Sequence, residues 1–196
     1  MGAASYSQHP SVAAREAARQ GDVEYLIDGL ADPEMRVSAA HQLAKLGARE
    51  AVPALIQNLR ASHDRSRMAA TKALGRIGDP SAIPALLEVA HEDEAAGVRT
   101  QAIDSLARLG SREGVEMFAQ LAVDPSPLLT TCTRNSHVPG LRELHPKHLR
   151  MMRKWAVKRL RELHATEAAP TLTAALGTVD RRHRMRLRRT IRSLQS

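Results

Sequence analysis

The sixteen residues that close the chain, "RRHRMRLRRTIRSLQS", hold seven arginines: Arg181, Arg182, Arg184, Arg186, Arg188, Arg189 and Arg192. A guanidinium is always charged and presents a planar fork of N–H donors. Clustered, it is chemistry for phosphate or carboxylate. At helical spacing Arg182, Arg186 and Arg189 share one face, and Arg181, Arg188 and Arg192 another. With Lys154 and Lys158 upstream they form the expected anion-contact set, reaching either an acidic protein surface or a nucleic-acid backbone. No aromatic residue interleaves with them, so base stacking is not supported and any nucleic-acid contact would be sequence-tolerant.

Other residues with chemical capacity lead less far. Cys132, His137, His145 and His148 are spaced C-x4-H-x7-H-x2-H, which is no standard zinc spacing, and Pro146 interrupts a helix that could present the last two together. They read as ordinary loop residues. A single cysteine precludes an internal disulfide. No phosphate-cradling glycine loop, no H-E-x-x-H and no supported acid–base pair is present, so neither cofactor nor metal is expected, and the chain reads as non-enzymatic.

The basic residues are concentrated. Residues 1–141 carry 14 Lys+Arg against 17 Asp+Glu, a balance of −3, whereas residues 142–196 carry 15 against 4, a balance of +11. Aromatics make up 2% of the 196 residues and apolar residues 43%. A core of Ala, Leu, Val and Ile favours close-packed helices over sheets. No stretch has the length of a membrane span, and the first ten residues lack a secretory signal's basic and apolar regions. A cytoplasmic location is the expectation.

The elements that must position the arginines come from a repeat. "MRVSAAHQLAKLGAREAVPALIQNL" from Met35, "SRMAATKALGRIGDPSAIPALLEVA" from Ser66, "VRTQAIDSLARLGSREGVEMFAQLA" from Val98 and "MRKWAVKRLRELHATEAAPTLTAAL" from Met152 align without a gap. Each predicts a helix pair. The first helix buries Ala39/Ala70/Ala102/Ala156, Leu43/Leu74/Leu106/Leu160 and Leu46/Ile77/Leu109/Leu163. Gly47, Gly78 and Gly110 then end it in the left-handed conformation, with His164 in the last copy. The second helix opens near Pro53, Pro84 or Pro170. A degenerate copy with Gly21 as its turn precedes these. The arginine tail follows them as one more first helix, with Leu187, Ile191 and Leu194 in register, capping the stack.

The pattern "D…VR..A…L..LG…A.P.L...L" resembles the HEAT repeat, in particular the PBS-lyase HEAT-like subclass. The resemblance spans roughly three quarters of the chain by repeat alignment. It implies an all-α, right-handed α-solenoid of about five helix pairs. In such arrays the recurring arginine, here Arg36, Arg67, Arg99, Arg153 and Arg184, meets an acidic residue of the preceding turn, for which Asp32, Asp64, Glu94 and Asp180 are the candidates. The lyases attach bilin pigments, and nothing in this sequence resembles a pigment cradle. The related alkylpurine glycosylases use a basic groove, whereas the groove positions here, Tyr25, Asp28, Gln57, Asn58, Glu88 and Gln120, are neutral to acidic.

The expected organisation is a disordered N-terminus at 1–10, repeats at 11–127, an inserted loop at 128–149, and a final repeat with its basic capping helix at 150–196. Val89, Met117 and Leu121 on adjacent second helices, with the single tryptophan Trp155, form the candidate protein-binding patch. The leading functional expectation is an adaptor that holds a protein partner through this groove and its basic end. The alternative is a protein that contacts nucleic-acid phosphates through the basic end alone. Fold leaves that choice open.

Overall fold

In a computed structural model, which describes residues 6, 7, 9–127 and 146–195, every regular element is a helix. The helices are α1 (Pro10–Gln20), α2 (Val23–Asp28), α3 (Arg36–Leu46), α4 (Val52–Asn58), α5 (Asp64–Ile77), α6 (Ile83–Glu92), α7 (Ala96–Arg108), α8 (Arg112–Val123), α9 (Pro146–Glu162), α10 (Ala169–Ala174) and α11 (Arg181–Gln195). First helices pack on first helices down the stack, α1 on α3, α3 on α5, α5 on α7, and second helices pack on the first helix of the following repeat, α2 on α3, α4 on α5, α6 on α7. This is an α-solenoid.

The apolar stripe explains the layering. Ala39, Leu43, Ala70, Leu74, Ala102, Leu106, Ala156 and Leu160 are all buried, and each enclosed leucine contributes roughly 1.5–3 kcal/mol. The third position of the stripe is narrower than the spacing predicts: Ile77 is buried, but Leu46 is 42% exposed and Leu109 and Leu163 are half-buried. These residues lie at the helix end, one before the turn, where the next layer no longer covers them. Leu187, Ile191 and Leu194 of α11 are buried, so the arginine-rich end closes the core.

The turns follow the glycines. Gly47, Gly78 and Gly110 have φ of 66°, 80° and 73°, and His164 takes the same position at 49°. A side chain there is strained by about 1–2 kcal/mol, partly offset by the extra freedom glycine has when unfolded. His164→Gly should therefore raise stability by about 0.5–1 kcal/mol, read as a higher denaturation midpoint with unchanged slope. The second helices are preceded by 3-10 turns at Arg49–Ala51, Pro80–Ala82 and Thr166–Ala168, a detail that apolar periodicity does not carry.

The arginine column is structural in a way the sequence does not disclose. Arg36 donates to the carbonyls of Leu30 (2.8 Å) and Ala31 (3.0 Å), and Arg67 to those of Ala61 (3.0 Å) and Ser62 (3.1 Å). Arg99 donates to the carbonyls of Asp93 (2.6 Å) and Glu94 (3.3 Å), and Arg184 to that of Val179 (3.1 Å). For these four, carbonyls of the segments that follow the second helices take the place of the expected acids, because a guanidinium fork can serve two at once, while Arg153 of the same column pairs with the Asp124 carboxylate at 3.5 Å. Of the expected acids, Glu94 does bind an arginine side chain, but it is Arg67 (3.2 Å), whose main partner is Asp93 (2.7 Å). Asp64 accepts from the Arg65 amide and Asp180 from the His183 amide.

Two boundaries differ from expectation. Tyr6, within the stretch read as disordered, packs on Tyr25 with ring centres 4.2 Å apart and the rings tilted by 44°, and donates to Asp22 at 2.6 Å. That bond to an anionic acceptor pushes its hydroxyl up to about 12. Helix α9 begins at Pro146, inside the stretch read as inserted loop, with proline where a first-turn N–H is dispensable. Across that stretch Asp104 of α7 binds Arg159 of α9 at 2.7 Å and Arg108 of its own helix at 2.8 Å. The final repeat is thereby joined to the preceding one.

Candidate anion-binding cleft at the C-terminal end

Helices α9 and α11 lie side by side as the last two first helices. On α9, Arg150, Arg153 and Lys154 stand at i, i+3 and i+4 and share a face. On α11, Arg182 and Arg186 stand one turn apart. All five line one cleft of about 430 Å³ between the helices. The burial of Leu187, Ile191 and Leu194 turns the opposite side of α11 into the core, which fixes this orientation.

The cleft has one carboxylate, Asp180, and it caps α11 by accepting from the His183 amide at 3.0 Å. That bond holds its acid well in the ionised form. Arg153 reaches Asp124 only at 3.5 Å, and its Nε is buried without a partner. Arg150, Lys154, Arg182 and Arg186 make no ion pair among the described residues. His183 is buried and donates Nε2–H to the Ala122 carbonyl at 2.7 Å. Burial pushes its pKa below the ordinary histidine value, so it adds no charge at neutral pH.

Of the basic residues expected to contact anions, Lys154, Arg182 and Arg186 meet in this cleft. Arg181, Arg188, Arg189 and Arg192 are exposed elsewhere on α11, and Lys158 is exposed and pairs with Glu162 at 3.5 Å. Arg150, part of the same basic region of the sequence, and Arg153 join Lys154, Arg182 and Arg186 there. Their i, i+3, i+4 spacing with Lys154 was the available signal, obscured for Arg153 by its membership of the arginine column.

The apolar patch is corrected. Val89 is 8% exposed and Leu121 3%, so both belong to the core, where the stripes of α6 and α8 widen. Met117 is half-buried against that core. Val89 and Leu121 face only two small hollows of about 170 and 240 Å³, and a charge at Leu121 would damage the repeat rather than probe a surface. Trp155 is half-buried and packs on Phe118 with ring centres 4.9 Å apart. Cys132, His137 and His145 lie outside the described residues. Among the described residues no helix is long and apolar enough to cross a membrane.

The family model of HEAT repeats matches residues 23–107. No curated protein matches the chain. Among solved structures it is similar to an engineered protein, at 18% identity and a TM-score of 0.49 over 95% of this chain and 84% of that one. It is also similar to the complex of CpcE and CpcF of phycocyanin lyase from Nostoc sp. PCC7120, at 17% identity and a TM-score of 0.41 over 94% of this chain and 88% of that one. The matched segment runs from α2 into α7, so residues 23–107 carry HEAT repeats, and the same helix-pair layering continues beyond them.

Proposed function

We propose that this solenoid is a non-enzymatic scaffold that holds a protein partner, with its basic C-terminal end contacting an acidic part of that partner. The carrying observation is the row of exposed arginines on α11, without an ion pair among the described residues, beside an array whose other exposed groove positions, Asp28, Gln57, Glu88 and Gln120, are neutral to acidic. A generic solubilising cap would mix signs. A one-signed end instead orients and accelerates encounter with an acidic surface.

The test uses the full chain as bait in host lysate, with and without nuclease. A discrete protein that survives nuclease and is lost with Arg188→Glu, Arg189→Glu and Arg192→Glu together supports the reading. Capture that collapses with nuclease overturns it in favour of phosphate-backbone binding. The three substitutions to Gln should then flatten the slope of log affinity against log salt by about two to three units.

A further inference from the structure

We propose that the cleft between α9 and α11 is a binding site for a compact oligophosphate, a ligand bearing at least two adjacent phosphoryl groups. The site is separate from the outer arginines on which the scaffold reading rests.

The cations in the cleft have no structural task that explains their number. The core side of α11 is closed by Leu187, Ile191 and Leu194, and capping requires only a polar outer face. Arg150, Arg153, Lys154, Arg182 and Arg186 instead converge from two helices on one concavity, where their mutual repulsion weakens the fold. Against them stand Asp180 in the lining and Asp124, which pairs with Arg153 at 3.5 Å, so five positive charges less two leave +3. His183, held neutral, does not change that balance.

Charge and size together select the ligand. One phosphoryl group carries about −1.5 to −2 at neutral pH, so two bring about −3 to −4 and match the cleft. A peptide supplies one charge per acidic residue, and consecutive residues in an extended chain are about 3.3 Å apart or more. It would need several residues inside a space of about 430 Å³, which is the size of a small-molecule site. Four guanidinium forks suit phosphate oxygens. The N-terminal end of α11, which supplies Arg182, adds its positive field. Among the described residues no Phe, Tyr or Trp lines the cleft, and His183 is turned to the Ala122 carbonyl, so the cleft reads the phosphate chain and not an attached base.

The experiment is isothermal titration of the full chain at fixed ionic strength with pyrophosphate, orthophosphate, ADP and poly-glutamate. Pyrophosphate should bind at least about tenfold more tightly than orthophosphate, and ADP about as tightly as pyrophosphate. Arg182→Gln with Arg186→Gln should weaken pyrophosphate by about tenfold or more, and so should Arg150→Gln with Lys154→Gln on the other wall. Arg188→Gln with Arg189→Gln, outside the cleft, should change it by less than about twofold, with circular dichroism confirming helix content throughout. Equal weakening by the inner and outer pairs would reduce the site to diffuse electrostatics and overturn the proposal. Tighter binding of poly-glutamate than pyrophosphate would overturn it too. Loss of pyrophosphate binding leaves capture of a protein through Arg188, Arg189 and Arg192 untouched, so the two readings fail separately.

Discussion

Arg67→Ala should cost about 3–5 kcal/mol, because it removes a two-pronged guanidinium contact from a buried carboxylate and a donor from two carbonyls in one step. Arg67 donates to Asp93 through Nε (2.7 Å) and Nη2 (3.1 Å), to Glu94 at 3.2 Å, and to the carbonyls of Ala61 and Ser62. The Asp93 side chain is only 5% exposed, and Asp93 also accepts from the Ala95 amide, just before α7, at 2.8 Å. Losing the arginine therefore loosens the end of α4, the start of α5 and the start of α7 together. Arg67→Lys keeps the charge but cannot bridge two acceptor sets at fixed angles, so it should recover only part of the loss. A repeat array need not unfold in one step, so the measurement is native-state hydrogen exchange by segment. Protection should fall first in α5 and the first turn of α7. A loss below about 1 kcal/mol would mean the network behaves like a surface ion pair. Arg36 and Arg184, which show only main-chain acceptors, should tolerate the same change better.

What the sequence discloses and what it hides divide along physical lines. Helix faces are legible because burial imposes a 3.6-residue period on side-chain type. The turns are legible because the left-handed backbone selects glycine, and His164 keeps that conformation where glycine is missing. The closing role of α11 is legible from Leu187, Ile191 and Leu194 alone. The partners of the arginine column are not. Carbonyl acceptors leave no mark in residue identity, so the nearest carboxylate in sequence draws attention away from them. The cleft is half legible: its cations are visible, but Arg150 and Arg186 are 36 positions apart, and only packing of α9 on α11 brings their helices together. The Asp104–Arg159 contact, 55 positions apart across the insertion, has no periodic signature at all. The apolar patch shows the opposite error. Val89 and Leu121 look like an excess of surface hydrophobicity because residue type alone does not show how wide the buried stripe is.

Gly75→Val should cost upward of about 3 kcal/mol, at or beyond the usual limit for overpacking, because the obstacle is main chain rather than a movable side-chain tip. Gly75 lies inside α5 and is buried against α7. A Cβ placed there would meet the Oγ and Cβ of Ser105, and would stand 2.7 Å from its Cα. The close approach is used: Ser105 donates its hydroxyl to the Thr71 carbonyl at 2.8 Å, a buried bond between the two helices. Propensity and packing give opposite signs for the smaller change. Glycine within a helix is worse than alanine by roughly 0.5–1 kcal/mol, so an uncrowded site would make Gly75→Ala stabilising. Here the methyl group has to move α7, so Gly75→Ala should destabilise, and Ser105→Gly should partly rescue it. Urea unfolding of the two single variants and the double reads this directly, since coupled neighbours depart from additivity. A higher midpoint for Gly75→Ala would show that the helices have slack. The consequence extends beyond one layer, because α7 carries Asp104, and Asp104 holds Arg159 on the helix that forms one wall of the basic cleft. A layer forced apart at Gly75 should therefore weaken anion binding at the far end while leaving every residue of the cleft in place.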